Sequence, residues 1–239
     1  MAEQQTSALL YLIPVPLAPD VNPVNALPPG VVERVNGLRC FFVENLRSAR
    51  RFLRAMNPVF PIDECEFHLL DEHTRPQDVD LLTAALLKAG NAGVISEAGC
   101  PGVADPGAML VEQARRAGAT VVPLVGPSSI LLGLMASGFN GQNFAFNGYL
   151  PQEADLLTRK LKELTRRVAE GQTQIFIETP YRNNKLISRL ADTLPPAMRL
   201  CVASMLTSRQ EEVTVHTIAQ WKKAAYDYSR KPSIFLLSN

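Results

Sequence analysis

Across the first 125 residues, short apolar runs alternate with stretches whose apolar residues recur at helical spacing. That alternation restricts the possible fold more than any other feature of the chain. The runs at 8–13, 38–43, 92–96 and 120–125 are rich in Val, Ile and Leu and read as strands. Between them, 44–56 places Leu46, Ala49 and Leu53 at helical spacing. The segment 78–89 does the same with Leu82, Ala85 and Leu86, before a stop at Gly90. A further helix is expected over 106–117, with Asp105 as its N-cap, Pro106 in its first position and Gly118 beyond its end. Strand–helix–strand alternation of this kind implies a parallel sheet, buried on both faces and joined by right-handed crossovers.

The grammar changes after the Gly- and Asn-rich stretch SGFNG at 137–141, which reads as a hinge. Beyond it, strands are expected at 143–147, 174–178, 199–204, 212–217 and 233–237, with helices only at 153–170 and 183–193. So few helices for so many strands point to a mixed sheet. The expected architecture is α/β, in two α/β domains: 1–141 with a mostly parallel sheet and flanking helices, and 142–239 with a mixed sheet.

Bulk properties narrow the function. A chain of 239 residues suits two modest domains. Its 24 basic and 23 acidic residues exclude a globally basic nucleic-acid binder while leaving room for a local basic patch. Cys40, Cys65, Cys100 and Cys201 lie far apart, and with His68, His73 and His216 they form no metal-ligand spacing, so no metal is expected. Scattered cysteines fit a reduced, cytoplasmic protein. The opening MAEQQTSALLYLIP has a short apolar run without a basic flank, and reads as neither a signal peptide nor a membrane span.

Three loops carry the chemistry. Residues 14–29 hold six prolines, too many for a helix or a central strand, and follow the first strand directly. Residues 94–107, VISEAGCPGVADPG, run from a strand through a stiff Gly/Pro loop into a helix. Helix N-termini favour anions, but Asp105 occupies this one, which argues against a phosphate site. VGPSS at 125–129 again links a strand to an apolar helix that Ser128 or Ser129 can cap. Each loop can be a plain βα connection. Loops that follow different strands of one parallel sheet nevertheless converge on one edge, where open α/β sheets bind ligands. The chain has no G-x-G-x-x-G after a strand, no P-loop and no nucleophile elbow with a triad, so dehydrogenase, kinase and hydrolase readings lose ground.

LYLIPVP at 10–16, the loop at 94–107, VPLVGPSS at 122–129, FAFNGYLP at 144–151 and IFIETPYR at 175–182 occur in that order. Together they resemble the tetrapyrrole-methylase superfamily, in particular its small-subunit rRNA cytidine 2′-O-methyltransferase branch, over nearly the whole chain. The resemblance implies a homodimer that binds S-adenosylmethionine in a cleft between two α/β domains. It implies cofactor contacts from Pro14 and Leu17 of the first loop, and from Gly99, Cys100, Pro101 and Val103 of the second. Ser128, Ser129, Leu150 and Ala203 complete the set. Two positions depart from the family pattern: Ala18-Pro19 replaces the usual Gly-Asn pair, and Cys100 replaces Thr or Asp.

Transfer of a methyl group from a sulfonium needs alignment above all, and a hydroxyl acceptor also wants a base. Glu44, Glu97 and Asp105 lie at strand ends, and the first two match acidic positions of the rRNA branch. Glu72-His73 is a further candidate pair. Arg47, Arg50, Arg51 and Arg54 fall on one helix face, which is either an ordinary solvated surface or an RNA phosphate contact. The expected function is methylation of rRNA, or of the small ribosomal subunit, on a cytidine ribose hydroxyl. Methylation of a tetrapyrrole or another small molecule stays open, as do a cofactor-binding protein that has lost catalysis and an unrelated α/β enzyme sharing only the loop grammar.

Overall fold

The computed structural model describes residues 7–18 and 20–239. The chain divides into two compact units, Met1–Pro127 and Ser128–Asn239. In the first, the chain order is β1 (Leu9–Ile13), α1 (Pro23–Ala26), α2 (Pro29–Asn36), β2 (Cys40–Val43) and α3 (Leu46–Met56). There follow β3 (Glu66–Leu69), α4 (Pro76–Ala89), β4 (Asn91–Ile95), α5 (Gly107–Arg116) and β5 (Thr120–Pro123). The five strands form one sheet in the order β3-β2-β4-β1-β5, and every pairing in it is parallel.

The two-residue period of the strands splits this core into two layers. Tyr11, Ile13, Phe41 and Val43 pack against Val31 and Val35 of α2 and Phe52 and Leu53 of α3. Leu10, Phe42 and Val94 face Leu82 and Leu86 of α4 and Leu110 and Ala114 of α5. Burial on both faces is why the strands read as unbroken apolar runs.

Two features differ from the sequence reading. The sheet gains an edge strand, β3, in which exposed Glu66 and half-buried His68 alternate with Phe67 and Leu69 and dilute the apolar signal. The proline-rich segment also contains helix: Pro23 and Pro29 open α1 and α2, where a missing N–H costs nothing, and Asn22 caps α1 by accepting the Val24 N–H at 3.0 Å.

The second unit contains α6 (Ser129–Ser137), β6 (Phe144–Tyr149), α7 (Ala154–Ala169), β7 (Thr173–Ile177) and α8 (Asn183–Thr193). It ends with β8 (Arg199–Ser204), β9 (Glu212–Thr217), α9 (Ile218–Trp221) and β10 (Ser233–Ser238). The sheet order is β6-β7-β10-β8-β9, parallel between β6 and β7 and antiparallel elsewhere, a mixed sheet. Leu157, Leu161 and Leu164 of α7 and Leu186, Ile187 and Leu190 of α8 cover one face, with Trp221 anchored by donation from its indole N–H to the Leu200 carbonyl at 2.9 Å.

Helix α6 lies against the other face, so close that a Cβ on Gly133 would sit 2.8 Å from Ile234 Cγ2. The SGFNG stretch lies inside the second unit, and the division between units falls nine residues before it, at Pro127–Ser128. Among the described residues no helix is long and apolar enough to cross a membrane.

Candidate functional site

Because β4, β1 and β5 are parallel neighbours, the loops that follow them leave from one edge of the first sheet. The first two are stitched together by backbone: the Val15 N–H donates to the Gly99 carbonyl at 2.9 Å and the Gly99 N–H donates back to Val15 at 3.0 Å. Gly99 has φ +74°, and a Cβ there would stand 3.4 Å from Leu17 Cδ2. The third loop joins through Cys100, whose thiol lies 3.4 Å from the Pro127 carbonyl. It is held tighter still at Gly126, where a Cβ would fall 2.2 Å from Pro14 Cβ. Glycine is needed at that position for the close approach, since only it lets the proline ring of one loop touch the backbone of another.

The loop after β4 turns through three left-handed residues, Gly99, Gly102 (φ +81°) and Ala104 (φ +59°). Such geometry costs free energy and persists where surrounding contacts over-determine it. Asp105 supplies those contacts: its Oδ1 accepts the N–H groups of Gly102 and Gly107, both at 2.7 Å. Pro106, not Asp105, occupies the N-cap of α5, so Asp105 pins its own loop and uses up a helix N–H that an anion would otherwise take. Burial raises the Asp105 carboxyl above its ordinary value, which the two N–H groups partly offset. Its Oδ2 is buried and, among the described residues, has no partner.

Glu44 and Glu97, from the ends of β2 and β4, meet directly. The Glu97 backbone N–H donates to Glu44 Oε1 at 3.0 Å. Burial raises the Glu44 carboxyl; the Glu97 N–H lowers it, and the negative charges of Asp105, Glu97 and Asp71 raise it again. The Glu97 side chain is exposed and accepts the Ser48 hydroxyl. Ser48 reaches it because Asn45 caps α3, accepting the N–H groups of Arg47 at 2.9 Å and Ser48 at 3.2 Å. Ser48 escaped the sequence reading, although its place one turn after an Asn cap was a usable signal.

The remaining residues divide. Pro14 and Pro101 are buried, Leu17 and Cys100 half-buried and Val103 exposed, all in the loops just described. Ser128 takes the N-cap position of α6 with a half-buried side chain that makes no capping bond, and Ser129 is the first residue of that helix. In the second unit, Leu150 and Ala203 are only 5% and 1% exposed, packed within that unit's own sheet and helices. Thr179 likewise makes no cap; the tie at that turn is Glu178, which binds the Arg182 guanidinium at 2.6 Å. All four arginines of α3 are exposed, but Arg50 lies over the Phe67 ring at 5.3 Å and Arg54 donates to the Pro58 carbonyl at 2.7 Å. Among the described residues, Arg47 and Arg51 make no guanidinium contact of either kind, which leaves both groups for solvent or a ligand. Glu72 and His73 pair only in solvent, with side chains 87% and 84% exposed.

Sheet register also gathers Cys40, Glu66 and His68, whose ligand-type atoms lie within 4.8 Å of one another, a grouping that linear spacing hides. They sit at the opposite strand ends from the three loops, and burial, reinforced by Glu66 and Cys65, pushes the Cys40 thiol up to about 11.

Comparison with known proteins fits this arrangement. The Ribosomal RNA small subunit methyltransferase I of Vibrio cholerae is 30% identical over 212 residues, 89% of this chain and 69% of that one. The protein of the same name from Haemophilus influenzae is 32% identical over 152 residues, 64% of this chain but 53% of that one, so the chain spans about half the length of some relatives it matches. A crystal structure of diphthine synthase superposes with a TM-score of 0.70 at 13% identity, over 97% of this chain and 90% of that one. The family model for tetrapyrrole (corrin/porphyrin) methylases matches residues 27–222, and the chain belongs to that family.

Proposed function

We propose that this protein is a methyltransferase that uses S-adenosylmethionine to methylate small-subunit rRNA, on the ribose 2′-hydroxyl of a cytidine. The observation that carries the proposal is the joining of three loops at one sheet edge beside Glu44 and Glu97. The names of the relatives support rRNA as the acceptor, and the cytidine hydroxyl follows from the branch that the sequence resembles.

The residues present fit the methyl donor. Helix α5 has a carboxylate on its first N–H, so the loop is unsuited to a phosphate and compatible with a cationic sulfonium. Pro14, Leu17, Gly99, Cys100, Pro101 and Val103 of the first unit would hold it. When bound, S-adenosylmethionine supplies an electrophilic methyl group whose departing thioether needs no proton. The acceptor does have a proton to lose. Glu97, exposed and held by Ser48, takes it as general base; Glu44 fixes the Glu97 backbone, and Asp105 keeps the loop in its strained turn.

Arg47 and Arg51 supply the RNA backbone contact. The apolar outer face of α6, with Leu131 52% and Met135 76% exposed, supports a homodimer. The four cysteines, all free, support a reducing cytoplasm.

The test is incubation with methyl-labelled S-adenosylmethionine and either small ribosomal subunits or naked rRNA. Label is expected in RNA, at a ribose, and lost in Glu97→Ala. Tight donor binding without label transfer to either substrate would refute the assignment.

A further inference from the structure

Within the first unit, the loop after β1, the side of α3 and the end of β4 enclose a cavity of about 500 Å³. The first loop lines it with apolar Val15, Pro16 and Leu17, stiffened by the proline and the Val15–Gly99 stitch. Ser48 and Arg51 of α3 and Glu97 after β4 line it as well.

Arg51, exposed at the cavity, enters no ion pair among the described residues. The cavity thus brings together apolar side chains, a cation without an ion pair and a carboxylate. A nucleotide has an apolar ring face, a phosphate and a sugar hydroxyl, one group for each.

We propose that this cavity receives a single nucleotide unstacked from the acceptor strand. Its base lies against Pro16 and Leu17, its phosphate meets Arg51, and its sugar is turned toward Glu97. The proposal rests on the RNA-methylation reading and adds to it where the acceptor nucleotide sits. Sequence-specific RNA recognition commonly uses such splayed bases, because a paired helix hides their edges. Unstacking costs a few kcal/mol, least in a single-stranded or looped segment. The acceptor is therefore an unpaired nucleotide.

The test uses the full chain and a short single-stranded oligoribonucleotide carrying 5-iodocytidine, crosslinked by light and mapped by mass spectrometry. In the wild type, crosslinks are expected in residues 14–23 or 46–56. The variant Ala55→Trp places an indole in the cavity from the exposed side of α3. It is expected to lose crosslinking at least about tenfold, the equivalent of 1.4 kcal/mol, while S-adenosylmethionine binds as in the wild type by calorimetry. Three results would overturn the proposal: wild-type crosslinks that fall elsewhere or do not form, crosslinks that persist in Ala55→Trp, or a parallel loss of donor binding, which would give the cavity to the cofactor. Label transfer to rRNA is scored separately. Its absence in a wild type that crosslinks as expected removes the methylation reading and leaves the nucleotide cavity standing.

Discussion

Gly126→Ala probes the contact on which the arrangement of the loops depends. The new Cβ would fall 2.2 Å from Pro14 Cβ, 2.3 Å from Pro14 Cγ and 3.3 Å from Leu27 Cδ2. Carbon atoms rest at about 3.5–4.0 Å, so the two loops must part by more than an ångström. Pro14 cannot turn away, since its ring is rigid and the next residue is tied to Gly99 by two hydrogen bonds at 2.9 and 3.0 Å. Overpacking against an immovable wall costs about 1–3 kcal/mol, and the rigidity here places the loss near the upper end. In a chain of this size 3 kcal/mol lowers Tm by about 6–12 °C. Displacing Pro127 also breaks the Cys100 contact at 3.4 Å, so S-adenosylmethionine should bind at least about tenfold more weakly. Gly30→Ala is the control: nothing lies within 4 Å of its Cβ, it sits in α2, and it should raise Tm. The assays are thermal unfolding and calorimetry with the donor. A Gly126→Ala protein that melts within about 1 °C of the wild type and binds the donor equally would refute the close approach.

Other perturbations test other parts of the structure. Asp105→Ala removes the acceptor of two N–H groups and should cost about 1–3 kcal/mol in urea unfolding, whereas Asp105→Asn keeps one acceptor oxygen and should cost less. Because burial raises the folded-state value of this carboxyl, its contribution is fully present below the ordinary carboxylate range and is lost as pH rises through the raised value. The wild type should therefore fall relative to Asp105→Asn as the pH rises across that window, and a rise instead would show the carboxylate to be stabilised. Asn183, 0% exposed, donates to the carbonyls of Tyr228 at 3.0 Å and Lys231 at 2.8 Å and to Ser233 Oγ at 3.1 Å. Asn183→Ala removes these three bonds from a fully buried position and should cost about 2 kcal/mol by the same assay. Arg47→Glu with Arg51→Glu should reduce the salt dependence of single-stranded RNA binding by about 0.7 for each phosphate that is no longer bound. Arg50→Ala should leave that slope unchanged and cost only the stacking of its guanidinium on the Phe67 ring, about 0.5–1 kcal/mol.

What could be read in the sequence followed burial. Central strands β1, β2 and β4 announce themselves because both faces are covered, edge strand β5 because its Val121 and Val122 keep the run apolar, and β8, β9 and β10 because turns bound them clearly. Edge strand β3 did not, since Glu66 and His68 belong to a rim that packing does not select. The proline count misled in the other direction: a proline excludes the helix interior but starts a helix well, and only flanking residues such as Asn22 separate the two cases. The place of α6 was hidden for another reason. Its glycine fits against Ile234 in β10, a partner about a hundred residues away.

At the site, the three loops singled out from the sequence meet at one sheet edge, while the partnerships of single side chains were less legible. Glu44 and Glu97 were both visible as acids at strand ends, but their contact depends on a sheet order that puts β2 beside β4. The arginine face read as one patch of four; aromatic and carbonyl partners reduce it to Arg47 and Arg51.

The two departures from the family pattern can be understood in the same terms. Where the pattern that the sequence resembles has Thr or Asp, Cys100 spans the gap to Pro127, and burial followed by the nearby Asp105 charge raises its thiol, so near neutral pH it stays protonated and serves as a hydrogen-bond donor. Where that pattern has Gly-Asn, Ala18 is 3% exposed and the Val15–Gly99 stitch still fixes the loop. Both replacements therefore preserve the joining of the loops. The segment in which Gly-Asn is replaced also lines the cavity beside Arg51 and Glu97. On the proposed reading, the replacement alters the wall that the acceptor nucleotide meets while the backbone that would hold the donor is kept, so divergence in this chain should appear as a change in which nucleotide is methylated before it appears as a loss of donor binding.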